Sequence, residues 1–352
     1  MASVKVSNIS ITGNEKIGLI SNLSTMLAAG IPILETVDSI LEDVKGNQRK
    51  LLQALRDDLI EGKRISATFA KFPNIFDKVT VNIIKAAEEA GNLDVALKDL
   101  KENIKREMEF GDKVRSAFIY PGLIFIVFSG VILLILVFVV PRIATVFSRL
   151  NVALPLPTRV LIFISNALLT YTIPIILITI VTIISSVMLY KAKRRQFLQM
   201  ILSLPLISDL GQLIDLTHFT RSMFLLLTSG IPITTALELA QETILNKRVE
   251  KAISQSRNMI LSGKRLSEGL KANKKCIPSI MIKIVEAGEK SGTLDRSMSD
   301  ITEFLDYQVT NTLKMLTTLM EPLILIFAGG LIGGMMLSII APIYSIISQV
   351  GS

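Results

Sequence analysis

The chain has 352 residues, half of them apolar, with a mean hydropathy of +0.54 and a formal net charge of +8. So much apolar sequence beside 19% charged residues excludes one soluble core and requires soluble and membrane-embedding parts segregated along the chain. A single cysteine, Cys276, and a single histidine exclude an internal disulfide and a thiol metal site, and basic residues interspersed with acids, without Trp, exclude a nucleic-acid interface.

In chain order, residues 1–116 show helical apolar spacing, as in Leu19, Leu23, Met26 and Leu27, and no alternating strand pattern of useful length. Gly30 follows this run where a left-handed C-terminal cap favours glycine, and Pro32 suits the first turn of the next helix. Gly62 ends a further helix, and Ser66 is competent to cap the one after it. Gly91 closes another, with Asn92 as the following N-cap and Asp94 in a first turn that favours an anion. Residues 117–140 are uncharged and longer than the roughly 20 residues that cross a bilayer. This run begins too far into the chain to be a cleaved secretory signal. A loop at 141–159 precedes a second uncharged run, 160–190, and the basic cluster Lys191, Lys193, Arg194 and Arg195. A second polar stretch, 191–315, leads to a third span with a short tail, 316–348.

The two polar stretches are copies. Met26 to Ile33 reappears as Leu226 to Ile233 at an offset of 200, and Gly62-Lys63-Arg64 reappears as Gly263-Lys264-Arg265 at 201. Glu88 to Asp94 matches Glu289 to Asp295, and Pro121 and Pro141, bracketing the first span, match Pro322 and Pro342. The shared residues, notably Gly30, Pro32, Gly91, Gly230, Pro232 and Gly292, are structural caps and turns, so a shape was duplicated rather than a reaction centre. Ser267 and Thr293 repeat the capping positions, and Asp295 repeats the first-turn acid. Pro73 and Pro278 break the common offset, which predicts a few extra residues before the fifth helix of the first copy. The expected fold is an all-α membrane protein, with two homologous cytoplasmic six-helix bundles and three transmembrane helices. Three spans put both modules on one side with 35 of the 38 basic residues, so the positive-inside rule assigns that side to the cytoplasm.

No catalytic constellation is present. Gly-Lys-Arg lacks the second glycine, the Ser/Thr and the preceding strand of a phosphate loop. Lys63, Arg64, Lys264 and Arg265, with Glu88, Glu89 and Glu289 nearby, are instead the candidate partner-docking residues. His218 reads as an ordinary surface or core-edge histidine. The acids Glu88, Glu89, Asp94, Glu286, Glu289 and Asp295 read more economically as caps and solvated surface than as a cation site. Glu321 at the mouth of the third span is either snorkelling or specific in role. Gly329, Gly330, Gly333 and Gly334 give overlapping GxxxG spacings for close packing against a neighbouring span, within or between subunits.

The duplicated leucine-rich helix, Gly-Ile-Pro-Ile, Gly-Lys-Arg and Glu-Lys-Ser-Gly-Thr-Leu, with Ala287 to Gly292 and Glu321-Pro322, resembles the inner-membrane platform proteins of type II secretion systems and type IV pili over essentially the whole chain. The short first module leans towards the type IVb pilus branch. The resemblance implies a non-enzymatic scaffold without a cofactor, in the bacterial inner membrane with its N-terminus cytoplasmic. It implies contacts with a cytoplasmic hexameric assembly ATPase, with pilin or prepilin subunits, with other inner-membrane assembly proteins and with further copies of itself. Some members of that family bind calcium through acids of the first module, and no set of residues here is assigned to that role. In this picture residues 91–140 and 292–341 are levers that carry ATPase-driven motion to pilin extraction. A repeat-containing transporter and a membrane-anchored signalling adaptor are the alternative classes.

Overall fold

The computed structural model describes residues 9–150, 156–192 and 205–350, and among them it is helical, with no strand. The basic residues Lys193, Arg194 and Arg195 lie outside the described residues. Two compact units form: Met1–Lys113 with Leu198–Thr310, and Val114–Phe197 with Asn311–Ser352.

The first unit holds both modules. Module 1 runs α1 (Gly13–Ala28), α2 (Ile33–Asp43), α3 (Gly46–Ile60), α4 (Ile65–Phe69), α5 (Lys78–Ala90) and the start of α6 (Leu93–Leu134). Module 2 runs α10 (Pro205–Thr228), α11 (Ile233–Gln241), α12 (Lys247–Leu261), α13 (Leu266–Lys271), α14 (Ser279–Ser291) and the start of α15 (Leu294–Val350). Helices α1 and α10 end, and α2 and α11 begin, 200 residues apart, whereas α3 and α12 and every later pair begin 201 apart. The one-residue difference therefore sits around the connection after α2 and α11.

No extra residues precede α5. The helix α5 and its counterpart α14 are both 13 residues long at the common offset, and only the N-cap differs. Asp77 accepts the Thr80 N–H, while Pro278, whose own missing N–H costs nothing there, stands at the same place. Pro73 belongs to the preceding turn. Pro32 and Pro232 likewise occupy N-cap positions, one residue before the first turn.

The chain reversals share one chemistry. Gly30, Gly62, Gly230 and Gly263 have φ of 81°, 78°, 75° and 81°, in the left-handed region that only glycine adopts without strain. Gly30 N–H donates to Leu27 O and Ile31 N–H to Met26 O, and Gly230 and Ile231 repeat both bonds on Leu227 and Leu226. These are Schellman closures, which satisfy the last carbonyls of α1 and α10. Behind them one continuous core runs through both modules, including Leu23, Leu55, Phe69 and Ile84 in the first and Phe219, Met223, Leu237 and Leu270 in the second.

The second unit carries the apolar helices. Helix α6 passes Pro121 unbroken, reaches a π-helical segment at Ile135–Val139 and continues as α7 (Val140–Leu150). The region 141–159, expected as a loop, is thus helical over α7 and again from the start of α8 (Leu156–Thr170). The apolar run 160–190 is not one straight helix. It breaks at Tyr171, and α9 (Thr172–Ala192) leaves at 77° to α8. Pro174 supplies the cause, because its ring crowds the Thr170 carbonyl and its nitrogen has no hydrogen to donate. Thr172 Oγ1 donates to Leu168 O and Leu169 O at 2.7 and 2.9 Å, covering carbonyls near the break. By length and composition two helices suffice to cross a membrane, and a third if the bent pair is one span. Their surfaces suit lipid, with Phe125 and its counterpart Ile326 68% and 73% exposed.

Candidate functional site

The twin basic turns come first. In module 1 the short helix α4 has Arg64 at its N-cap without a side-chain cap bond. The cap comes from α5 instead: Glu88 accepts from the Ile65 N–H at 2.6 Å, the Ser66 N–H at 3.2 Å and the Ser66 hydroxyl. Module 2 repeats this with Glu289, which accepts from Leu266 N–H at 2.5 Å and Ser267 N–H at 3.2 Å. Ser66 and Ser267 therefore sit inside the helices they were expected to cap. A carboxylate at a helix N-terminus meets both the unpaired N–H groups and the positive end of the dipole. A five- or six-residue helix cannot hold itself, so this bond between helices fixes the basic turn in both copies.

The basic side chains then diverge. Lys63 lies 3.1 Å from Asp58 and 2.5 Å from Glu61, and Arg64 lies 3.0 Å from Glu89. Buried Asp58 also receives Lys71 at 2.5 Å and the Thr68 hydroxyl at 2.8 Å. Burial alone would raise the Asp58 carboxyl. The hydrogen bonds from Lys71, Thr68 and Lys63 outweigh it and hold the group below the usual carboxylate range. In module 2 the positions equivalent to Asp58 and Glu89 are Met259 and Lys290, and Lys290 pairs with Glu286 on its own helix at 2.7 Å. Lys264 and Arg265 are exposed and enter no ion pair among the described residues.

A second locus lies between the modules. Lys78 pairs with Glu242 at 2.7 Å, and the rings of Phe110 and His218 meet edge to face at 5.5 Å. The Arg221 guanidinium lies 5.3 Å from the Phe110 ring centre and donates through Nη2 to both Asp306 oxygens at 3.0 and 2.8 Å. Its Nη1 is buried without a hydrogen-bond partner. Burial, and then the neighbouring Arg221 charge, depress the His218 imidazole to about 4, so it is neutral at physiological pH. Beside it a cleft of about 850 Å³ is lined from module 1 by Asp99, Asn103 and Arg106 and from module 2 by Arg221, Thr302 and Asp306. The pattern of repeated residues does not reveal this seam, because Arg221 and Asp306 align with Ser21 and Lys105 and are peculiar to the second copy.

In the membrane-capable part, Glu321 is exposed. Gly329, Gly330 and Gly334 are exposed and Gly333 half-buried, and a Cβ on any of the four would meet nothing within 4 Å. The expected close packing of this glycine face is therefore absent within the chain among the described residues. The described residues also contain no group of three or more side chains arranged to hold a metal ion.

This duplicated architecture matches the family model described as type II secretion system protein F twice, over residues 19–141 and 219–342. The chain is 32% identical to a type IV pilus assembly protein PilC of Thermus thermophilus, over 92% of this chain and 80% of the relative. It is 27% identical to a PilC of Myxococcus xanthus, covering 96% and 81%, and 25% identical to a type II secretion system protein F of Aeromonas hydrophila, covering 93% and 85%. With the same unit recognised in both copies, ending each time at the proline that closes a span, the chain belongs to the type II secretion system protein F family.

Proposed function

We propose that the protein is the inner-membrane platform of a type IV pilus or type II secretion assembly machine, a scaffold that couples a cytoplasmic ATPase to the handling of pilin-like subunits. The observation that carries this reading is the double family match, supported by relatives named for pilus assembly and type II secretion. Three spans, both modules in the cytoplasm and self-association through the uncovered Gly329–Gly334 face belong to the same reading, the sidedness resting on the charge distribution. So does transmission of motion along α6 and α15.

Within it, the acidic-partner docking surface falls on Lys264 and Arg265 rather than on Lys63 and Arg64. Lys264 and Arg265 are exposed and enter no ion pair among the described residues, whereas Lys63 and Arg64 are already paired with Asp58, Glu61 and Glu89. Deleting the gene should abolish surface pili or secretion, and the full-length protein should co-purify with the assembly ATPase. Charge reversal at Lys264 and Arg265 should weaken that co-purification at least tenfold, with reversal at Lys63 and Arg64 acting mainly on stability. Pili and secretion that both persist on deletion overturn the platform reading. Unchanged co-purification after reversal at 264 and 265 overturns the docking site alone.

A further inference from the structure

Helix α8 lies between the duplicated parts and has no counterpart in either. Its buried residues are Thr158 and Ser165, seven positions apart and so two turns along one face. Hydroxyls on helices commonly bond their own carbonyl one turn back, as Thr179 and Thr182 do here on α9. The two on α8 reach other helices instead. Ser165 Oγ donates to Leu136 O at 2.6 Å in the first duplicated span, and Thr158 Oγ1 donates to Ser338 O in the second.

Both acceptors are carbonyls whose helical donor is missing. Ser338 lies four residues before Pro342, so the N–H that a regular helix would offer it is the one proline lacks. Leu136 lies five residues before Pro141, inside the π segment. There the Val140 N–H bonds to Ile135 O, five residues back, and the next donor in that register falls on Pro141. The acceptors differ by 202 positions against an offset of 201 for the prolines, which is the one-residue shift between the π and α registers. An unpaired carbonyl is costly where water is scarce, so each proline leaves a polar gap that something must fill.

We infer that α8 is a clasp: Thr158 and Ser165 hold the two duplicated spans together by replacing the N–H groups that Pro342 and Pro141 lack. The assignment explains why both copies tolerate a proline within a continuous helical stretch, and why the only buried residues of α8 are hydroxyls on one face.

A double-mutant cycle on the full-length protein in detergent micelles, read as thermal unfolding, tests it. Thr158→Val should lower the melting midpoint by about 2 °C or more in the native background. In a Pro342→Ala background, where the restored N–H can reach Ser338 O, the same substitution should cost little. Ser165→Ala should behave in the same way with Pro141→Ala. Thr158→Ser, which keeps the hydroxyl, should melt near the parent and serves as the folding control. Equal losses with and without the prolines, or no loss in the native background, overturn the clasp.

Discussion

The two modules share one outline but close it by different means. Beneath its basic turn, module 1 buries an ionic plug, with Asp58 joined to Lys63, Lys71 and Thr68. In module 2 the equivalents of Asp58, Thr68 and Lys71 are Met259, Gly269 and Ala272, and the same junction is closed by backbone approach. A Cβ at Gly269 would stand 2.6 Å from Ser256 Cα, a separation that real side chains do not adopt. A similar exchange occurs where the fifth helix meets the sixth. Module 1 has Ala87 and Ala96, and module 2 has Gly288 with Ser297 filling the space, 2.1 Å from where a Cβ would be. Duplication kept the shape, and each copy then reached it with its own volumes and charges. One consequence is functional in character: Lys63 and Arg64 of the module 1 turn are paired internally, and Lys264 and Arg265 of the module 2 turn are left on the surface.

Three measurements sharpen or break that contrast, taken from the largest effect to the smallest. Gly269→Ala forces α12 and α13 apart and should destabilise the protein by about 3 kcal/mol in thermal or denaturant unfolding, because the obstructing atom is backbone and cannot rotate away. Its counterpart change Thr68→Ala should cost less, and equal losses would show that the modules pack alike after all.

Asp58→Ala should cost about 2–3 kcal/mol by leaving the buried Thr68 hydroxyl without its acceptor and breaking the pairs with the more exposed Lys63 and Lys71. Met259→Ala should cost only the lost apolar contacts of a partly buried side chain. The Asp58 carboxyl is held below its ordinary value, so its contribution is fully present above the unfolded pKa of about 3.8 and is lost as pH falls below that. A module 1 stability that is flat between pH 5 and pH 2 would remove the plug from the account.

The smallest effect concerns His218 at the seam. Its folded pKa of about 4 lies under the unfolded value of 6.5, so its contribution is complete above pH 6.5 and declines as pH falls from there towards 4. Unfolding midpoints measured from pH 7 to pH 4.5 should fall, and His218→Leu should flatten that slope. A slope unchanged by the substitution would place the acid sensitivity elsewhere.

The sequence by itself determined the family, the all-helical class, the six-helix repeat and the places where the chain turns. Those features are local. Glycine at positive φ, proline at a helix start and a long uncharged run each act through their own backbone or their own transfer from water. Only the tertiary structure decided what Glu88 and Glu289 do, which of the basic turns is neutralised, and that the middle apolar run bends at Tyr171. It also decided that, among the described residues, the glycine face of α15 is left uncovered and that Thr158 and Ser165 meet carbonyls freed by prolines. Most of these depend on partners 20 or more residues away, as Glu88 and Arg64 do, or on a missing hydrogen, and hydrogen-bond pairing at that range follows from how the helices pack rather than from residue spacing.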